Sequence, residues 1–265
     1  MTKHILISVI SLFLLCPLFM TAENSQLIQQ ADSAYNAEDF RQAADLYLGA
    51  IKQEGPSSRL YYNLGNSYYR LGEMGNAILS FERALRLDPS DKDARYNLEF
   101  VNTRITDRPG ERGTFLGNAL DAMSQTTHSN TWAWIAFGCF VVMIGAVLAY
   151  LFLDNVAVRK TGFFGGILAF IVCCVSLFFS FRAAALALRD DVAIVTAPST
   201  ILSTVPRSPS DRTQEAMLLH EGTRVEIIDS VRSTSAVDSV SAVWYDVQVD
   251  NSHRAWIKAD DVEKI

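Results

Sequence analysis

Apolar residues in this chain form three long runs that are separated by two polar blocks. Residues 5–19, 132–153 and 162–181 contain no Asp, Glu, Lys or Arg. The first run is short for a transmembrane helix, whereas the other two are long enough to cross a hydrocarbon core of about 30 Å. The pattern excludes a single soluble globule, and each polar block is long enough for one small domain.

The first apolar run has the layout of a targeting segment. Lys3 and His4 precede it, and Met20 and the small residue Ala22 follow it. A basic start, a short apolar core and a small residue at the end are typical of a secretory signal peptide, which we place at residues 1–22. The alternative is a signal anchor that is not cleaved.

The other two runs predict a membrane hairpin, with transmembrane helices at residues 132–153 and 162–182. The turn between them, residues 154–161, carries Arg159 and Lys160. Positive residues favour the cytoplasmic side of a membrane, so we expect this turn in the cytoplasm. Both polar blocks then face outward, which in a Gram-negative cell is the periplasm.

Two features of the second run leave alternatives open. Arg182 must extend toward water or face protein if the helix continues past it. Gly162 and Gly166 have the GxxxG spacing. That spacing is a helix-packing face in some spans and only a frequent pair of small residues in others.

The first polar block, residues 25–107, contains an internal repeat. Apolar residues recur at spacings of three and four on two successive helices, and small residues stand where the helices cross. Residues 58–91 resemble the tetratricopeptide repeat at Tyr61, Leu64, Gly65, Tyr68, Gly72, Ala77, Phe81, Ala84 and Pro89. A looser copy occupies residues 24–57, and residues 92–107 predict a capping helix, which a solenoid needs at its end.

The first helices of such repeats line a concave groove that binds peptides or partner helices. The residues that the repeat register turns toward this groove are Asp32, Tyr35, Tyr62, Asn66, Tyr69, Arg70 and Asn97. In related domains, asparagines at the positions of Asn66 and Asn97 hold a terminal carboxylate, but the assisting lysine is Tyr62 here. The alternatives are a partner-binding groove and a solvated polar face without a dedicated ligand.

The second polar block changes to β-branched runs broken by turn residues. The predicted strands are residues 192–196, 215–219, 224–228, 244–249 and 255–257, with a closing segment at 262–265. Residues 204–213 predict a loop rich in Ser and Pro. The polar stretch 230–242 predicts a long loop between two strands.

Residues 190–265 resemble the bacterial SH3-like domain. The resemblance rests on residues 220–225, on Trp244 and on Ala255-Trp256-Ile257. It implies a small β barrel that attaches to cell-wall peptides or to proteins. The two tryptophans belong either to the core of this domain or to a ligand groove.

Charge and motif content argue against other classes of function. The net charge is −6 and both polar blocks are acidic, so nucleic-acid binding is not expected. We find no sequence motif of a nucleotide, metal or hydrolase site and therefore expect no cofactor. All the cysteines lie in apolar runs, at Cys16, Cys139, Cys173 and Cys174.

These segments together predict a multidomain membrane protein. It has an all-α tetratricopeptide repeat domain, residues 108–131 as a linker, two transmembrane helices and a C-terminal all-β SH3-like barrel. This order resembles the BatE family of Bacteroides aerotolerance proteins. The resemblance implies a multi-pass inner-membrane protein that is encoded with other Bat proteins and a MoxR-type ATPase and is linked to aerotolerance or envelope stress.

This organisation is compatible with three functions. The first is a scaffold whose repeats dock membrane or periplasmic proteins, among them other Bat proteins. The second is a tether whose SH3-like domain binds peptidoglycan. The third, an enzyme subunit, is disfavoured because the sequence contains no catalytic constellation. Membrane lipid is a partner in every case.

Overall fold

The computed structural model describes residues 26–107, 113–234 and 241–265. The predicted signal peptide at residues 1–22 lies outside these ranges. The helices in this part of the chain are α1 Gln26–Asn36, α2 Phe40–Glu54, α3 Ser58–Leu71, α4 Met74–Leu87, α5 Lys92–Asn102, α6 Phe115–Ser124, α7 Ser129–Phe152 and α8 Val156–Ala187. The strands are β1 Val192–Val195, β2 Ser199–Ser203, β3 Glu215–His220, β4 Arg224–Thr234, β5 Ser241–Gln248, β6 Arg254–Lys258 and β7 Val262–Lys264.

Helices α1 to α5 form the predicted repeat domain, in which each helix packs on the next. Short polar side chains begin three of these helices by accepting hydrogen bonds from otherwise unpaired backbone N–H groups. Asp39 accepts from Gln42 at 3.1 Å and Ser57 from Leu60 at 3.2 Å, and Asp91 starts α5 in the same way. The turn sequence of the repeat therefore sets where its helices begin.

Gly65 allows α3 and α4 to cross closely. A Cβ atom at this position would lie 2.7 Å from the ring of Phe81, and that ring is only 1% exposed. The repeat pattern has a small residue at this position because a larger one would overlap the Phe81 ring.

Helices α7 and α8 are an antiparallel pair, and both are long and apolar enough to cross a membrane. They have 24 and 32 residues. The predicted turn at 154–161 is wrong in extent, because α8 already begins at Val156. Asn155 starts that helix by accepting a hydrogen bond from the N–H of Ala157 at 2.9 Å, so Arg159 and Lys160 lie within its first turns.

Both glycines of the GxxxG spacing face the partner helix. A Cβ atom at Gly162 would lie 3.1 Å from the carbonyl oxygen of Ala146, and one at Gly166 would lie 3.3 Å from the Ala146 methyl group. The other end of the pair is joined by Trp132, which stacks on Phe179 with 5.0 Å between ring centroids. The small residues therefore serve helix packing here.

Arg182 faces protein. Its Nε lies 2.7 Å from Oδ1 of Asp121, in the short helix α6. Helix α6 lies within residues 108–131, which the sequence predicted as a linker, so that prediction is wrong for residues 115–124. The sequence did not predict this helix because it is only ten residues long and belongs to no repeat.

The seven strands form one antiparallel sheet in the order β3-β2-β6-β5-β4-β1-β7. Strands β3 and β7 are its two edges and do not pair with each other, so the sheet is not closed into the predicted barrel. Strand β2 was missed because only Ile201 and Leu202 are apolar in it. The predicted loop at 230–242 is wrong at both ends, since β4 runs to Thr234 and pairs with β5 from Ser241.

Side chains from several strands of this sheet pack together in one apolar core. Ala193, Leu202, Val247 and Ile257 in it are fully buried, and they come from four different strands. Trp244 is 5% exposed and thus belongs to the interior rather than to an open groove.

The sheet packs on α4 of the repeat domain, a contact that we call the domain junction. Ile78 of α4 and Ile194 of β1 are buried in one apolar cluster. Two glycines permit the approach. A Cβ atom would lie 2.7 Å from the carbonyl oxygen of Val195 if added to Gly75, and 2.8 Å from the Ile78 side chain if added to Gly222.

Asp107, in the segment after α5, makes polar contacts with the sheet beside this junction. Its Oδ2 accepts hydrogen bonds from the backbone N–H of His220 at 2.6 Å and from the hydroxyl of Thr223 at 2.8 Å. The His220 ring nitrogen Nδ1 lies 2.9 Å from Oδ1. Partial burial raises the pKa of Asp107, but these hydrogen bonds outweigh it and the pKa lies below its ordinary value.

We predict opposite effects for two glycine-to-alanine changes in the repeats. Gly65→Ala lowers the free energy of unfolding by about 1–3 kcal/mol, because the added methyl group overlaps the buried Phe81 ring. Gly49→Ala, in α2, raises it by roughly 0.5–1 kcal/mol, because a Cβ atom there has no neighbour within 4 Å. Urea titration of the full chain in detergent, followed by helical circular dichroism, measures both. Equal midpoints for the two variants would contradict the close crossing.

We predict that Asp107 makes the junction sensitive to acid. A carboxylate whose pKa is lowered by folding stabilises the folded state above its unfolded pKa of about 3.9, and this contribution is lost as the pH falls through the folded pKa. Asp107→Asn therefore costs about 2 kcal/mol at neutral pH and progressively less below about pH 4. Parallel urea titrations of both proteins at several pH values give the difference. A difference that stays constant down to about pH 2 would count against this role.

Candidate partner-binding groove

The repeat domain has an open groove with a volume of about 280 Å³. Its walls come mainly from α3 and α5. The lining side chains are Tyr35, Asn66, Tyr69, Arg70, Phe81, Tyr96, Asn97, Phe100 and Val101. The structure thus brings together five of the seven residues that the sequence predicted for this surface, namely Tyr35, Asn66, Tyr69, Arg70 and Asn97.

Two asparagines form the polar centre of the groove. Nδ2 of Asn97 donates a hydrogen bond to Oδ1 of Asn66 at 2.8 Å and lies 3.4 Å from the hydroxyl of Tyr62. This pairing orients both amides, since each is held by a neighbour. Asn66 keeps its NH₂ group and Asn97 its carbonyl oxygen, which are the donor and acceptor that a peptide backbone requires.

Aromatic rings form one end of the groove. The rings of Tyr69 and Phe100 meet edge to face with centroids 5.7 Å apart. The guanidinium carbon of Arg104 lies 4.4 Å from the centroid of Phe100. This end combines an apolar surface with a positive charge.

The side of the groove that includes Tyr35 of α1 repeats this combination. The rings of Tyr35 and Phe40 are 5.3 Å apart, and the guanidinium carbon of Arg70 lies 4.1 Å above Phe40. Glu38 lies at 4.0 Å from Arg70, but both side chains are largely exposed, so this ion pair is weak. A guanidinium group therefore accompanies each of the two aromatic pairs.

The remaining two predicted residues have internal partners. Asp32 accepts a hydrogen bond from the hydroxyl of Tyr47 at 2.6 Å and lies 3.7 Å from Arg59. Burial, and then the Asp32 carboxylate, raise the pKa of Tyr47. The ring of Tyr62 packs against Phe81, with 6.0 Å between centroids. Both residues support the repeat and lie outside the groove lining.

Sequence reasoning missed the aromatic face of α5. Tyr96 and Phe100 are 69% and 38% exposed and line the groove, whereas only Asn97 of this helix was predicted. The signal was present in the sequence. A capping helix normally has a polar outer face, and two aromatic residues four positions apart depart from that pattern.

The groove is suited to recognition by shape, stacking and hydrogen bonding. It offers two oriented amides, exposed aromatic rings and guanidinium groups nearby. Within residues 26–107, 113–234 and 241–265, no three His, Cys, Asp or Glu side chains are placed to hold a metal ion.

Comparison with known proteins agrees with the helical part of this description. The family model described as tetratricopeptide repeat matches residues 28–92. Over 70 residues the chain is 34% identical to a protein SGT1 homolog of Oryza sativa subsp. japonica, which covers 26% of this chain and 19% of that protein. Over 79 residues it is 32% identical to the rhomboid protease GluP of Bacillus subtilis (strain 168), which covers 30% of this chain and 16% of that protein.

The chain thus spans less than a fifth of the length of either of these curated relatives. What they share with it is limited to a segment. The match at residues 28–92 shows that the chain contains a tetratricopeptide repeat domain, and such domains support protein–protein interaction.

Proposed function

We propose that this protein is a membrane-anchored scaffold whose repeat groove docks an extended segment of another protein. The observation that carries the proposal is the open groove itself. Tyr96 and Phe100 present aromatic surface to solvent beside the amide pair of Asn66 and Asn97. Exposed aromatic residues around oriented polar groups are a common composition of protein-binding surfaces.

The position of the sheet supports this use of the groove. The sheet packs on α4 through Ile78 and on the segment after α5 through Asp107. The groove takes most of its lining from α1, α3 and α5. The sheet therefore leaves the groove open to a partner.

The proposal extends to location and partners as follows. Helices α7 and α8 span the bacterial inner membrane, and both soluble domains lie in the periplasm, with the sheet as an SH3-like domain. The docked segment belongs to a membrane or periplasmic protein, such as another Bat protein of an aerotolerance or envelope-stress complex. No catalytic step and no cofactor are assigned to this chain.

We predict that three alanine substitutions in the groove weaken partner capture by about tenfold or more. Asn66→Ala, Tyr96→Ala and Phe100→Ala remove the amide donor and the exposed rings, and losses of this size are usual for central aromatic contacts. Tyr62 is kept, because it packs on Phe81 and its loss would damage the fold. The measurement is affinity purification of the full chain in detergent, with quantitative mass spectrometry of the captured proteins.

The matched control carries alanine at three exposed positions outside the groove, Gln42, Asp45 and Leu87. It should capture partners as the unsubstituted chain does. A benzophenone amino acid at Tyr96 should in addition cross-link the same partner in living cells, and one at Gln42 should not. Equal capture by the groove variant and the control would refute the groove as the docking site. Co-purification of cell-wall fragments in place of proteins would favour the tether.

A second prediction concerns orientation in the membrane. Single cysteines at Asn102 and at Lys160, in a chain whose native cysteines are changed to alanine, are treated with a membrane-impermeant maleimide on spheroplasts. Asn102→Cys should react, and Lys160→Cys should react only after lysis, because positive residues remain on the cytoplasmic side. The reverse pattern would place both soluble domains in the cytoplasm.

A further inference from the structure

Helix α6 has two unlike faces. Gly117, Asp121 and Ser124 share one side of this helix, and the Asp121 carboxylate contacts α8. Phe115 and Met123 stand on the other side and are 91% and 52% exposed. The polar and small side thus meets protein, while the apolar side faces outward, which is the reverse of a surface helix in a water-soluble protein.

The depth of α6 follows from its contact with the second span. Asp121 lies 2.7 Å from Nε of Arg182, and Nη2 of Arg182 donates to the carbonyl oxygen of Gly117 at 3.3 Å. Between Lys160 and Arg182, α8 carries no charged residue. At about 1.5 Å per residue this interval is about 33 Å long, close to the thickness of a hydrocarbon core. Arg182 therefore marks one boundary of the core, and α6 lies at that level.

Aromatic residues at the start of α7 mark the same level. Trp132 stacks on Phe179, one turn before Arg182, and Trp134 is 72% exposed. Indole rings favour the region between the hydrocarbon and the headgroups. Four residues separate the end of α6 at Ser124 from the start of α7 at Ser129, so α6 lies close to this aromatic border.

The charges around α6 indicate what covers its apolar side. Residues 113–131 contain no Lys or Arg, and the Asp121 carboxylate is paired with Arg182. The outward side of α6 thus offers apolar surface without a charge to select a protein partner or an anionic headgroup. Its continuity with the two spans instead makes the bilayer the surface that it meets.

We propose that α6 is an interfacial helix, with Phe115, Leu116 and Met123 buried among lipid chains just below the headgroups. The ligand is the lipid surface of the leaflet next to the soluble domains. This inference rests on the proposed membrane insertion of α7 and α8. It adds a third membrane contact, which holds the last part of the connection between the repeats and α7 against the bilayer.

The test uses the full chain in phosphatidylcholine nanodiscs, after its native cysteines are changed to alanine. A fluorescent label is placed on one new cysteine at a time, at Phe115, Met123, Val142 or Asn102. Discs with and without a lipid that carries a nitroxide near the headgroup are compared. We expect labels at Phe115 and Met123 to lose most of their emission, and the label at Asn102, in α5, to keep it. Adding anionic lipid should leave these values unchanged.

Two results would overturn the inference about α6. Labels at Phe115 and Met123 that aqueous iodide quenches and nitroxide lipid does not would place the helix in water. Labels shielded from both quenchers would show that protein covers it, for example a second copy of the chain. A nitroxide deep in the bilayer distinguishes the underlying proposal, because it must quench the label at Val142 if α7 spans the membrane. Failure at Val142 would overturn both proposals, whereas failure at Phe115 and Met123 alone overturns only this one.

Discussion

The three parts of this protein meet at one guanidinium group. Arg86, in α4, donates from Nε to the carbonyl oxygen of Ala187 at 2.8 Å and from its two terminal nitrogens to the carbonyl oxygens of Arg189 and Ile265. Ala187 is the last residue of α8, where helix carbonyls lack intrahelical partners and carry the negative end of the helix dipole. The five donors of a planar guanidinium allow one side chain to bond three carbonyl groups at once. The repeat domain, helix α8 and the sheet are thereby joined at one point.

Helix α4 contributes both to the groove and to the contact with the sheet. Phe81 lines the groove, and it lies in the same buried cluster as Ile78 and the sheet residue Ile194. Arg83 adds to the contact of α4 with the sheet. It donates a hydrogen bond to the carbonyl oxygen of Lys264, in the edge strand β7, at 2.6 Å. An unpaired edge strand is a site for unwanted pairing with other chains. Arg83 therefore occupies one backbone acceptor of this edge strand from a helix that also lines the groove.

The repeat helices were predictable from their periodicity, and helices α7 and α8 from the length of their uncharged apolar runs. Leu64 and Phe81 belong to the apolar faces of α3 and α4, where apolar residues recur every three or four positions. Residues 132–153 and 162–181 contain no Asp, Glu, Lys or Arg. Strand β2 was not predictable in this way, since only two of its residues are apolar. The domain junction was hidden for another reason. Gly222 reads as an ordinary turn glycine, and nothing in a single sequence shows that its missing side chain makes room for Ile78. Long-range packing of this kind has no local pattern.

The connection between α8 and the sheet bears on the choice between scaffold and tether. Helix α8 ends at Ala187 and β1 begins at Val192, so the chain between them reaches at most about 17 Å even when fully extended. Asp191, in this connection, is bonded to Arg189 at 2.8 Å, which shortens the reach further. A tether to a distant polymer needs a domain that can move away from the bilayer. In the proposed scaffold, a sheet held this close to the end of α8 and packed on α4 would instead fix the distance between the groove and the bilayer, which suits a partner embedded in the same membrane.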